Sequence, residues 1–297
     1  MTAIFKKEMR SYFNSWIGYI FLFILLELVG VFFAFINLNN QIGDFQDTLN
    51  NITIFMLILM PVLTMRLFAE EIRQKTDILL FTSPVSVSAI VLAKFFAALV
   101  LAYIGLALTL IFPLMISGFG ELPISEIFTV YLGYTLLISC FIAVGLFIST
   151  CTENQIIAAV ITFLVMIFLY IMEGIVSNIT NNITASQSAT SAAMISLLFV
   201  AVIIALLAYI VYDSTKNYHA AGGIGLVLLA IAAGFYVYDA SVFNSLLIKT
   251  TQWLSVMTRF TNFNKGVLNV SDIVYYISFT VMFIYLSINT IEKKRWK

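Results

Sequence analysis

Two acidic residues and one charged stretch are the places where this sequence could do chemistry. Glu27 lies near the middle of an apolar run over 17–37, and Glu173 lies toward the end of another over 156–177. A carboxyl group at such a depth can carry a proton or hold a cationic substrate. It can equally be a protonated or partnered acid where two helices touch, because an ionised acid at mid-membrane costs about 2.5–3.5 kcal/mol on insertion scales. The stretch from Arg66 to Asp77 gathers Arg66, Glu70, Glu71, Arg73, Lys75 and Asp77, six of the 30 charged residues of the chain. A surface of that kind can dock a soluble partner, or it can be a solvated loop that only fixes topology. Other tools are missing. His219 is the single histidine, and Cys140 and Cys151 are the two cysteines. That is too few for a metal centre or a disulfide framework. No phosphate-binding G-x-x-x-x-G-K-[ST] loop, H-E-x-x-H or G-x-S-x-G turn occurs. Neither a catalytic site nor a bound cofactor is expected in this chain.

The elements that must position these residues are membrane spans. The chain is 62% hydrophobic and 10% charged, with a mean hydropathy of +1.04. A soluble domain carries about 25% charged residues. A spanning helix needs about 20 mostly apolar residues, and eight runs qualify: 17–37, 52–69, 89–116, 127–149, 156–177, 194–212, 220–238 and 273–290. With the N-terminus inside, twelve of the 15 Lys and Arg fall in inside segments and only Lys249, Arg259 and Lys265 fall outside. The positive-inside rule then places both termini and the 66–77 stretch in the cytoplasm. Six spans, with 194–238 as an external or re-entrant hairpin, give the same parity. Lys+Arg and Asp+Glu balance at 15 each, so nothing marks a nucleic-acid partner. The expected fold is an all-α polytopic membrane protein.

The opening, 1–16, sets Ile4, Phe5, Met9, Tyr12, Phe13 and Trp16 on one helical stripe, with Lys6, Lys7 and Arg10 elsewhere. This suits a helix lying in the inner interface, or the ordinary basic flank of a first span. The first apolar run is long enough to remain as an anchor, so no cleaved leader is expected. Segment 178–193 reads as a flexible outer loop. Segment 239–272 reads as an outer-side amphipathic or re-entrant stretch, with Val242, Phe243, Leu246, Leu247, Trp253, Leu254 and Met257 at helical spacing. Within 70–84, "EEIRQKTDILLF" is compatible with one helix. Phe68, Ile72, Leu79 and Leu80 would form its apolar side, and the charges would face water. Pro84 ends it, because the residue before a proline disfavours helix. Arg66 and Lys94, at the inner ends of their spans, are expected to snorkel to the headgroups.

The order E-E-x-R-Q-x-T-x-x-L-L-x-T-S-P-V-S, then I-V-L-x-K, runs here from Glu70 to Lys94. It resembles the coupling region of ABC type-2 exporter permeases. The ending, with Phe263, Gly266, Val267, Asp272, Tyr275, Tyr276, Ser278, Arg295 and Trp296, resembles the gliding-motility-associated permeases, GldF and its relatives, as does the opening 4–21. Where those relatives often carry Gly before the Thr of the coupling stretch, this chain has Lys75. The resemblance implies a single permease domain over 1–297 with a six-span core, an inserted hairpin at 194–238 and a cytoplasmic coupling helix. It implies a bacterial cell-membrane exporter subunit. ATP and Mg would be held by a separate ATP-binding-cassette subunit docked on Glu70, Glu71, Arg73, Lys75 and Asp77. A second permease copy or a different membrane subunit would complete the pathway, with spans 52–69 and 156–177 lining the route. The competing readings are an ion-coupled secondary transporter using Glu27, and a non-transporting scaffold or immunity subunit.

Overall fold

A computed structural model describes residues 1–40, 43–76, 85–118, 123–184 and 255–295. The chain divides into two compact units, Met1–Phe168 with Thr258–Lys297, and Leu169–Met257. Of the second unit, the described parts are the helical stretch up to Thr184 and residues 255–257. The proposed hairpin 194–238 and residues 239–254 of the segment 239–272 lie outside the described residues.

Every described element is a helix. In chain order these are α1 (Thr2–Asn14), α2 (Trp16–Phe33), α3 (Phe45–Thr64), α4 (Ala69–Arg73), α5 (Val87–Leu108), α6 (Ile111–Ile116), α7 (Ile124–Cys151), α8 (Gln155–Thr184), α9 (Val256–Asn264) and α10 (Val270–Arg295). A π-helical turn, Ala34–Leu38, extends α2. Among the described residues six helices are long and apolar enough to cross a membrane: 16–38, 45–73, 87–116, 124–151, 155–172 and 270–295. These match six of the eight expected runs. An all-helical bundle is what lipid demands, because only a helix satisfies its own backbone groups away from water.

Local sequence sets the boundaries. Ser15 turns to an extended conformation between α1 and α2. The fold back is so tight that a β-carbon at Gly18 would sit 2.6 Å from the Tyr12 carbonyl oxygen. Pro61 lies in the last turn of α3, which ends at Thr64 and gives way to the turn leading into α4. Ser86 caps α5, its hydroxyl accepting from the Ala89 amide. The chain therefore restarts as a helix just after Pro84, where the sequence suggests it. Lys293, Lys294 and Arg295 occupy the last turn of α10, where cations complement the helix dipole.

α7 and α3 form the buried centre of the first unit, and α10 and α5 also pack on α7. In lipid the hydrophobic effect does not drive helix pairing, so close approach through small residues matters. α5 buries Ala93, Ala97, Ala98, Ala102 and Gly105. Gly145 of α7 takes Thr64 of α3 directly against its backbone. This centre holds both ends of the bundle in register, and the charged groups gather at the end carrying α1, α4 and the end of α10.

Candidate functional site

The expected long helix over 69–81 is short in the structure. α4 has five residues and stops at Gln74; Lys75 follows with a φ of 56°. That left-handed conformation costs a residue with a β-carbon roughly 1–2 kcal/mol and suits glycine. Arg73, Gln74, Lys75 and Thr76 are exposed. Asp77 lies outside the described residues.

α4 is fastened on its inner side from two directions. The Ser149 hydroxyl, near the end of α7, accepts from the amides of Phe68 and Ala69 at 3.0 and 3.1 Å and donates to the Met65 carbonyl at 3.3 Å. It thus satisfies two of the amides that a helix start leaves without partners. On the other side Glu71 meets Lys94 of α5 at 3.0 Å and Lys7 of α1 at 2.9 Å. Lys94 also reaches Glu8 of α1 at 2.8 Å and stands 5.0 Å over the Phe68 ring. Its side chain is 1% exposed. Lys94 therefore does not snorkel; two carboxylates and an aromatic face satisfy it inside the protein. Nor does Glu71 face water. Glu70 is a rim residue, paired with Arg66 at 2.8 Å and accepting from Gln74 at 3.2 Å.

The electrostatics follow from this packing. Burial alone would lower the Lys7 ammonium, but the Glu71 hydrogen bond, with the Glu71 and Glu8 charges, outweighs it and leaves the group raised above 10.5. Burial, with the Glu8 carboxylate close by, pushes the Tyr12 phenol far above its ordinary range, so it stays neutral. A cavity of about 740 Å³ opens between α1, α4 and the start of α5, lined by Lys7, Glu8, Tyr12, Arg66, Glu71 and Lys94 among others. The cluster ties three helices to one short, partly exposed segment. It can transmit a displacement, and it contains no nucleophile, metal set or acid–base pair aimed at a substrate.

A family model described as ABC-2 type transporter matches residues 1–187. The chain belongs to the ABC-2 type transporter family. No curated protein and no solved structure matches it. ABC-2 permeases are the membrane components of ATP-binding-cassette transporters, are not themselves catalytic, and work with an ATP-binding subunit. This chain is such a component and a multi-pass membrane protein.

Four of the C-terminal residues that carried the resemblance, Phe263, Gly266, Asp272 and Tyr275, have structural jobs in this ABC-2 permease. Gly266 takes a φ of 74° in the turn between α9 and α10. Asp272 accepts from Arg259 at 2.9 Å and Asn262 at 2.8 Å, and Arg259 lies 4.2 Å over the Tyr275 ring. Phe263 packs so closely on Gly133 of α7 that a β-carbon there would stand 2.5 Å from the Phe263 β-carbon. The motif locks α9 onto α10 and α7.

The intramembrane acids part ways. Glu27 is exposed on α2 and touches no helix of this chain through a hydrogen bond or ion pair among the described residues. Glu173 is in α8, and its side chain lies outside the described residues. Sequence reasoning missed Glu8 and Ser149 altogether. Glu8 had a usable signal: it lies one turn from both Ile4 and Tyr12, on the stripe read as apolar. An acid there calls for a cation, and Lys94 is the lysine set deepest into the following spans.

Proposed function

We propose that this chain is the permease of an exporter related to the gliding-motility-associated group, in which a separate ATP-binding-cassette subunit docks on the exposed Arg73–Thr76 stretch at the end of α4. The observation that carries this reading is the division between α4 and the turn that ends it. The end offers Arg73, Gln74, Lys75 and Thr76 to solvent; the inner side of the helix is held by Ser149 and by the Glu71–Lys94–Glu8 chain. ATP-driven closure of two ATP-binding subunits, which hold the ATP and Mg, pushes α4. The push enters α7 through Ser149 and α5 and α1 through Lys94, so the spans tilt between inward- and outward-open arrangements.

In this reading the protein sits in a bacterial cell membrane with α1, α4 and both termini in the cytoplasm. A second permease copy or a different membrane subunit completes the pathway. The docking surface narrows from the five charges expected in sequence to Arg73 and Lys75 with their exposed neighbours, Glu70 serving as a rim contact; Asp77 lies outside the described residues. Glu71 acts as a fastening group. An ion-coupled mechanism centred on Glu27 has less support, because that side chain faces out of the bundle.

The test is the double substitution Arg73→Glu, Lys75→Glu. Both side chains are exposed, so the chain should fold with a melting temperature close to that of the parent. Recovery of the ATP-binding subunit should fall at least about tenfold, the scale of placing like charges across an interface. Undiminished recovery at equal membrane expression would overturn the docking assignment and favour a scaffold role or a different contact surface.

A further inference from the structure

Glu27 sits at the middle of its span. The first spanning helix runs from Trp16 to Leu38, so eleven residues separate Glu27 from either end, about 16 Å at 1.5 Å per residue. Every fourth residue along this side is exposed: Tyr19 (58%), Phe23 (66%), Glu27, Val31 (40%) and Phe35 (67%). The stripe is apolar and aromatic except for one acid at its centre. Glu27 has neither a hydrogen bond nor an ion pair among the described residues. An acid at this depth against acyl chains is disfavoured, and residues of this kind normally face protein or a water-filled path.

We propose that the Tyr19–Phe35 face of the first span binds a transmembrane helix of a different membrane protein, one that carries a lysine or arginine at mid-bilayer depth to pair with Glu27. Charge complementarity selects this occupant. A two-fold contact between two copies sets residue i on residue j and j on i, and no apolar run of this sequence carries a lysine or arginine near its middle that could meet Glu27 from a second copy. The described spans offer no basic residue near mid-depth on an exposed face. Lys94 is buried and already holds two carboxylates. Arg66 and Lys7 lie at the α4 end of the bundle, and Arg259 is paired with Asp272. A helix with one basic residue satisfies the acid and covers the aromatic ladder on either side of it. This inference is independent of where the ATP-binding subunit docks.

The test uses the full chain, expressed in the cells that make it, with a photo-crosslinking amino acid in place of Phe23 or Val31, one turn on either side of Glu27. A control position is Phe128 of α7, exposed on another helix. The expected result is one discrete protein adduct from positions 23 and 31 and not from 128. Mass spectrometry should identify in it a chain with Lys or Arg in the middle of a span. Glu27→Lys should cut adduct yield by at least about tenfold, as for loss of a desolvated charge pair. Changing the partner's basic residue to Glu should restore it. Should Glu27→Lys fail to accumulate in the membrane, Glu27→Gln keeps the shape and is expected to lower the yield in the same direction. An adduct of twice the chain's own mass would overturn the proposal in favour of a second copy. Lipid adducts alone would show a lipid-facing stripe. A partner without a basic residue in a span, or a yield indifferent to both Glu27 substitutions, would also overturn it.

Discussion

Lys94 and Glu27 are both ionisable residues within apolar helices, and this fold treats them in opposite ways. Lys94 is sealed inside, with Glu8, Glu71 and the Phe68 ring around its ammonium group. Glu27 is exposed, without a hydrogen bond or ion pair among the described residues, beside aromatic side chains that are also exposed. The first region is closed within one chain: its charges are paired and its helices are joined, as the proposed transmission requires. The second has no closure within the described residues, and its chemistry is completed only by something outside them. An intramembrane charge alone therefore says little. The location of its partner separates a mechanical joint from an assembly surface.

The sharpest way to break this comparison is to remove each charge in turn and melt the purified chain. Lys94→Met leaves two carboxylates facing each other without their shared cation, and stripping one partner from a buried ion pair costs about 3–5 kcal/mol. We expect a large fall in melting temperature or loss of the folded chain, partly recovered when Glu8→Gln is added. Glu27→Met, in contrast, should move stability by no more than about 0.5 kcal/mol, the range of substitutions away from structural contacts. Equal effects would mean that Glu27 has an internal partner or that the Lys94 cluster is not structural.

A smaller effect sharpens the account of the paired region. The Lys7 ammonium is raised above 10.5 in the folded chain. A group raised on folding contributes stability that is fully present below its unfolded value and is lost as pH rises through its folded value. The Lys7–Glu71 link is therefore constant at neutral pH and fails only above about pH 10.4, the ordinary lysine value. Lys7→Met should flatten a modest alkaline loss of melting temperature in this range and leave the profile between pH 6 and 9 unchanged in shape.

Much of this architecture was legible in the sequence, for reasons particular to each element. Six spans could be read because twenty apolar residues in a row have few other uses. The start of α3 could not. Gln46, Asp47, Thr48 and the Asn50–Asn51 pair depress its hydropathy, yet Phe45, Thr48, Leu49 and Ile52 turn inward and continue the helix to Phe45. There the Thr48 hydroxyl donates to Asn37 at 2.6 Å, beside the π-helical turn. Residues 178–184 read as loop because Asn and Thr dominate, but they continue α8. The length of α4 failed for a different reason. Its sequence favours a helix through Phe81, whereas the left-handed Lys75 stops it, and a lone lysine gives no warning of that conformation. The site residues divide along the same line. Arg73 and Lys75 were read as exposed because charge marks exposure, and they are exposed. Glu71 was taken for a solvated charge because its partners, Lys94 and Lys7, come from helices distant in sequence.

Docking is proposed for the exposed end of α4 and transmission for its fastened inner side, as separate properties. The direct measurement is ATP hydrolysis by the assembled complex, with Ser149→Ala and Glu71→Gln combined in one permease and compared with the parent at equal membrane amounts. These substitutions loosen the inner fastenings and leave Arg73, Gln74, Lys75 and Thr76 in place. The account predicts that the ATP-binding subunit is recovered in parental quantity while the permease-dependent stimulation of its ATP hydrolysis disappears. Full recovery with full stimulation would contradict it, because α4 would then be passing its displacement to the spans without Ser149 or Glu71.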